Sequence, residues 1–125
     1  MKSTSEYREY PIFECRVVDG DTVDVLVDQG FYSMRWERLR LASMDAWEIR
    51  RPTLQAGRDA KRRLAELVKS ADRLRVRTYK DKKDREKRGK WRRFIADLEG
   101  FVDGTWHDFG RVLVNEGHAV HEDYD

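Results

Sequence analysis

The feature that most constrains this chain is a change of period at Pro52. From Ile12 to Ala42 apolar residues recur at alternate positions, in runs separated by Asp19-Gly20 and Gln29-Gly30. Alternation places successive side chains on opposite faces, as in half-buried strands, and Asp-Gly between two such runs signals a tight hairpin. Ile12 to Val18, Val23 to Val27 and Met34 to Ala42 are therefore expected to form a β-meander. Beyond Pro52, Ala60, Leu64, Leu67, Val68 and Ala71 follow helical spacing, with Arg58, Lys61, Arg62 and Lys69 among the outward positions. Strand period returns at Leu74, Val76 and Thr78, and again from Trp91 to Leu98, where Glu99-Gly100 is expected to turn the chain. Lys80 to Lys87 reads as a charged loop, and Phe109 to Gly117 as a short helix stopped by its glycine.

That order predicts an α+β, mainly β, domain: a five-stranded Greek-key barrel of the OB type with two short helices. An open α+β sheet fits the pattern nearly as well. With 125 residues the chain has room for one modest core, so residues 1–125 are read as a single domain. Four Trp, five Tyr and five Phe argue against disorder, which goes with a shortage of large apolar side chains.

The net charge of +2 hides a strong polarity. From residue 58 to 93 there are 17 Lys or Arg against 6 Asp or Glu, a local charge of +11. Residues 1–57 sum to −2 and residues 94–125 to −7. A basic centre attracts a polyanion in a salt-dependent way, although a solvated helix face followed by a charged loop has the same composition. Cys15 is the sole cysteine, so no disulfide can form within the chain. Met1 to Tyr10 is polar, without the apolar core of an export signal, and no segment approaches the roughly 20 apolar residues of a membrane span. A monomer in the cytoplasm, away from membranes, is expected; a secreted form whose leader has been trimmed fits the same sequence.

Cleavage of a phosphodiester needs a metal to neutralise charge, a base to activate water, and cations on the developing phosphorane oxygens. Asp21 at the first turn, Arg40 late in the third strand, and Asp45 and Glu48 just beyond it offer those chemistries. Each has a plain structural alternative: a hairpin Asp, a strand arginine bridging a carboxylate, an exposed acidic pair or helix cap. His107, His118 and His121, with Cys15, match no zinc spacing, and the expected fold places no histidine near the acidic set.

Several landmarks stand in a fixed order: Val18-Asp19-Gly20-Asp21-Thr22-Val23, then Arg40-Leu41 followed by Asp45-Ala46-x-Glu48, then the helix from Gly57 to Ala71. Glu86-Lys87-Arg88-Gly89-Lys90 and Val112-Leu113-Val114-Asn115-Glu116-Gly117-His118-Ala119 follow. From about Phe13 to Val120 the chain thereby resembles the staphylococcal nuclease (thermonuclease) family. The resemblance implies that Asp21 and Asp45 hold Ca²⁺ with the carbonyl of Ala46, Mg²⁺ or Mn²⁺ being alternatives, and that Asp19 and Thr22 support the same turn. It implies Glu48 as the general base or water-orienting group, Arg40 as the first phosphate arginine, and DNA or RNA cut to 3′-phosphates.

The chain departs from the family in two places. The second phosphate arginine follows Tyr-Gly or Phe-Gly in the family; here Arg88-Gly89 precedes Lys90. Lysine keeps the charge but loses the bidentate fork, so Lys90 and Arg88 both stand as candidates, with Arg92 two residues further on. Trp47 replaces the usual proline before the base and is read either as a core or lid residue or as a stacking partner for a nucleobase. Lys87, Arg92 and Tyr124 complete the expected nucleic-acid contacts. The competing expectation is a catalytically weakened module that binds single-stranded nucleic acid.

Overall fold

The computed structural model describes residues 7–42, 44–46, 54–79, 88 and 93–121. In chain order the elements are β1 (Tyr7–Asp19), β2 (Thr22–Asp28), β3 (Met34–Leu41), β4 (Met44–Ala46), α1 (Leu54–Ser70), β5 (Arg73–Tyr79), β6 (Phe94–Val102), β7 (Thr105–Asp108), α2 (Phe109–Asn115) and β8 (Ala119–His121).

The main sheet runs β3-β2-β1-β5-β6-β7, and β6 also pairs with β3. That last pairing is parallel, Leu39 to Phe94, Arg40 to Ile95 and Leu41 to Ala96, whereas the other ladders of the main sheet are antiparallel. It closes β1, β2, β3, β5 and β6 into a five-stranded barrel of the OB type, so the open-sheet alternative does not apply. Val23, Val25 and Val27 of β2, Leu39 and Leu41 of β3, Val76 of β5 and Ala96 and Leu98 of β6 fill its interior. Helix α1 buries Gly57, Ala60, Leu64 and Leu67, a single stripe at helical spacing, while Arg58, Lys61, Arg62 and Lys69 stay exposed on its other side. Phe109 and Leu113 of α2 are also wholly buried.

Three details differ from the sequence expectation. The chain does not turn at Glu99-Gly100: β6 runs through both residues and turns at Asp103-Gly104, whose φ values of 51° and 80° suit a two-residue hairpin. Gly100 serves packing instead, because a Cβ there would stand 2.1 Å from Cζ of Phe109. The short strands β4, β7 and β8 were not expected at all, being too brief to show a period. At the first hairpin Gly20 is not among the residues with positive φ; a register irregularity between Val17 and Asp19 accommodates the turn. The helix stop at Gly117 is as expected, with φ of 80° just after the cap residue Glu116.

Candidate functional site

The turn between β1 and β2 buries Asp21 and Thr22 against the start of the barrel seam. Register pairs Thr22 with Arg40 across β2 and β3, and Arg40 with Ile95 across the closing ladder. Nη1 of Arg40 lies 3.2 Å from Oδ2 of Asp21, and both side chains are largely shielded from water. The hydroxyl of Thr22 donates to Oδ1 of Asp21 at 3.0 Å. Nη1 of Arg93, just ahead of β6, donates to that same hydroxyl oxygen at 3.4 Å. The backbone locks the group further, since the amide of Leu41 donates to the carbonyl of Asp21 at 2.8 Å.

Arg40 thus contacts the buried carboxylate directly, and Arg93 reaches it through the Thr22 hydroxyl. Nε of Arg93 is buried and has no hydrogen-bond partner among the described residues. A buried donor without an acceptor is costly, by about 1–3 kcal/mol, and it marks where a ligand oxygen would be welcome.

Arg93 is the residue that sequence reasoning missed. Its place depends on the parallel β3–β6 register, which joins residues 39–41 to 94–96 and leaves no trace in local spacing. Arg88 bridges to Phe94 through its backbone, and its guanidinium lies 4.3 Å from the centre of the Phe94 ring, on exposed surface. Asp19 is exposed, and its charge acts on Arg38. Glu48, Trp47, Lys87, Lys90, Arg92 and Tyr124 lie outside the described residues.

Asp45 and Ala46 are described through their backbone. β4 pairs with β8, setting Asp45 opposite Val120 and Ala46 opposite Ala119. Asp45 follows Leu41 by four residues, so its backbone lies within about 14 Å of that strand end. The same pairing corrects the expectation about histidines. His121 stands opposite Met44, one residue from Asp45, because a long-range strand pair joins them.

For a hard cation, Asp21 offers anionic oxygen donors of the right kind. Thr22 and Arg40 each engage one of its oxygens. Among the described residues no three His, Cys, Asp or Glu side chains gather to hold a metal. The donor chemistry of Asp21 therefore fits Ca²⁺ or Mg²⁺ as one ligand of a larger set.

Among the described residues, the cations of the central basic block are divided between α1 and β5. Arg58, Lys61, Arg62 and Lys69 are exposed on α1, whereas on β5 Arg75 pairs with Glu99 at 2.6 Å and Arg77 with Glu9 at 3.0 Å. Concavities among the described residues lie elsewhere. One of about 140 Å³ sits among Tyr10, Leu39, Val76 and Phe94, and one of about 470 Å³ sits beside Trp106; neither has Asp21 in its wall.

A second buried carboxylate, Asp97 on β6, accepts a hydrogen bond from the Tyr79 hydroxyl. Burial pushes its acid up to about 6; the Tyr79 bond pulls the other way, and Asp108 and Glu99 add to the rise. Burial, then the bond to Asp97, pushes the Tyr79 phenol well above its usual range. The Cys15 thiol is likewise raised by burial, and further by Asp24, to about 12, which leaves it unreactive.

No protein-family model and no curated protein matches the chain. No helix of the described residues is long and apolar enough to cross a membrane.

Proposed function

We propose that the chain is a metal-assisted nuclease of the staphylococcal nuclease type, hydrolysing phosphodiester bonds of DNA or RNA. The observation that supports it most is the buried Asp21, held by Thr22 and Arg40 with Arg93 on the same hydroxyl. An arginine fork so anchored is oriented before substrate arrives, and a preset cation stabilises a phosphorane without reorganising.

In this reading Arg40 grips two oxygens of the scissile phosphate. Glu48 takes a proton from water, which attacks phosphorus in line with the 5′-oxygen; that P–O bond breaks and the leaving oxygen is protonated, giving a 3′-phosphate. Lys90, Arg88 or Arg93 supplies the second cation. Asp21, Asp45 and the Ala46 carbonyl would hold Ca²⁺, which when bound neutralises phosphate charge and polarises the P–O bond. Asp21 then has two tasks, holding the metal and orienting Arg40.

The test is cleavage of heat-denatured DNA and of RNA in Ca²⁺, Mg²⁺, Mn²⁺ and EDTA, with Asp21→Ala and Glu48→Gln alongside. Cleavage that vanishes in EDTA and in both variants is expected. The second reading, a non-catalytic module for single-stranded nucleic acid, is favoured by Lys90 in place of an arginine. Binding without cleavage in any metal would establish it and remove the nuclease.

A further inference from the structure

We infer that two copies of this chain associate through the apolar tip and flank of the β2–β3 hairpin, making the protein a dimer rather than the monomer expected from sequence. The dimer is independent of the nuclease reading and holds whether or not the chain cleaves.

Among the described residues six large apolar side chains are exposed, and five of them gather here: Phe13, Phe31, Tyr32, Met34 and Trp36. Leu39 and Leu41 point into the core, so the even-numbered residues of β3 share the outer face. Trp36 stands opposite Leu26, and the register shift between Ile12 and Glu14 leaves Phe13 unpaired beside that row. Phe31 and Tyr32 are fully exposed, Phe13 62%, Met34 54% and Trp36 44%. At about 200 Å² for a whole aromatic side chain, these five present roughly 700 Å² to water. The largest apolar patch of a monomer is ordinarily about 300–600 Å², whereas a stable interface takes about 800 Å² from each partner.

The tip is built to hold this surface out. Phe31 and Tyr32 have φ of 55° and 62°, directly after Gly30 at 77°. Asn or Gly holds this left-handed region with less strain. The turn is nonetheless pinned: the Gln29 amide donates to the Ser33 carbonyl at 2.9 Å and the Ser33 amide to the Gly30 carbonyl at 2.9 Å. The Gly30 amide also donates to Oδ1 of Asp28 at 2.8 Å. Two aromatic rings presented rigidly to water, at a backbone cost, do nothing for the fold of one copy and mark a surface that another molecule covers.

Charge and geometry select a second copy. Around the patch Arg16 and Arg38 stand among Glu14, Asp24 and Asp28, so neither sign dominates. Both cations are engaged within the chain: Arg38 by the two oxygens of Asp24 at 2.8 and 3.0 Å, Arg16 by the Trp36 ring, whose centre lies 4.8 Å away. A polyanion or an anionic membrane would need cations not already engaged, and an oppositely charged protein an excess of one sign. A copy of the same face needs neither, and its apolar centre inside a polar rim is the anatomy of a protein interface. Met34 lies between the tip and Trp36, about 6.6 Å from Trp36 along the strand. A two-fold axis at Met34 lays Phe31 and Tyr32 of each copy on Trp36 and Phe13 of the other, a self-complementary contact with aromatic anchors at its centre.

The test is sedimentation equilibrium of the full chain over about 1–500 μM, with flotation on phosphatidylcholine vesicles as a second probe. The mass is expected to rise from 14.9 kDa towards twice that value, with a dissociation constant on the order of 10 μM. The variants are Trp36→Thr and the double change Phe31→Asn with Tyr32→Asn. Each is expected to weaken association about ten-fold or more. The Asn variant relieves the strained turn, so its melting temperature, taken where the parent is monomeric, holds or rises and misfolding cannot explain its loss. A parent that stays at 14.9 kDa throughout, or variants that associate as tightly as the parent, would overturn the dimer. So would a parent that floats with the vesicles while monomeric in solution, which assigns the tip to a lipid surface. The outcome is read from mass, so a chain that cleaves in no metal loses the nuclease and keeps the dimer.

Discussion

Asp21 and Asp97 are exposed to the same extent, 8% each, yet the barrel treats them in opposite ways. Asp21 faces Arg40 and, through Thr22, Arg93. Asp97 faces a phenol, with Asp108 and Glu99 nearby, and Arg77 opposes their effect only as the smallest contribution. The difference teaches that burial alone does not define a functional carboxylate; the charge of its neighbours decides whether the fold holds an anion in place or resists it. Asp21 is built as an anion with cations around it, Asp97 as an acid on the edge of neutrality.

The strongest way to break this contrast is Asp21→Ala. On the proposed function, cleavage in Ca²⁺ should fall by about 10³ or more, since the variant loses both the proposed metal ligand and the anchor of Arg40. Urea unfolding should show a loss of about 3 kcal/mol, because the largely shielded contact between Asp21 and Arg40 is removed. Arg40→Gln should lower the turnover number by about 10²–10³, read from initial rates at saturating substrate. Were both variants to cleave like the parent, Asp21 would be no more functional than Asp97.

Asp97→Asn sharpens the contrast from the other side. The folded acid, at about 6, lies above the unfolded value of about 3.9, so the fold prefers the neutral form. Its contribution is complete below about pH 4 and is lost as pH rises through about 6. The asparagine variant should therefore gain on the order of 2 kcal/mol at pH 8 and nothing at pH 4, by chemical denaturation across that range. Its cleavage rate should match the parent; a fall would bring Asp97 into the chemistry. Tyr79→Phe should cost about 1 kcal/mol at pH 8 and less at pH 4, since the lost hydrogen bond is stronger to the ionised acid.

The barrel was legible because its strands alternate cleanly and its helix changes the period at Pro52. Asp21, Thr22 and Arg40 could be named as candidates one by one, and their meeting follows from a hairpin register that is set locally. Glu99-Gly100 misled because glycine has two uses, and only the Phe109 ring over its Cα shows which one applies. Arg93 and the approach of His121 to β4 were illegible, since each depends on a pairing between distant segments. Charge summed over a window was a poor guide as well, for β5 turns Arg75 and Arg77 into pairs with β1 and β6.

The parallel seam between β3 and β6 also sets the order in which the protein can be made. Residues 39–41 wait for residues 94–96, so a chain emerging from the ribosome can complete the meander, and then α1, while β3 still has an open edge. Closing so long a loop is entropically slow and cannot be hastened by local turns. Arg93 reaches Thr22 only when that seam zips. The Asp21–Thr22–Arg93 cluster is therefore a product of the last folding step, and a nascent or clipped chain that stops before β6 carries the acidic turn without the second arginine that flanks it.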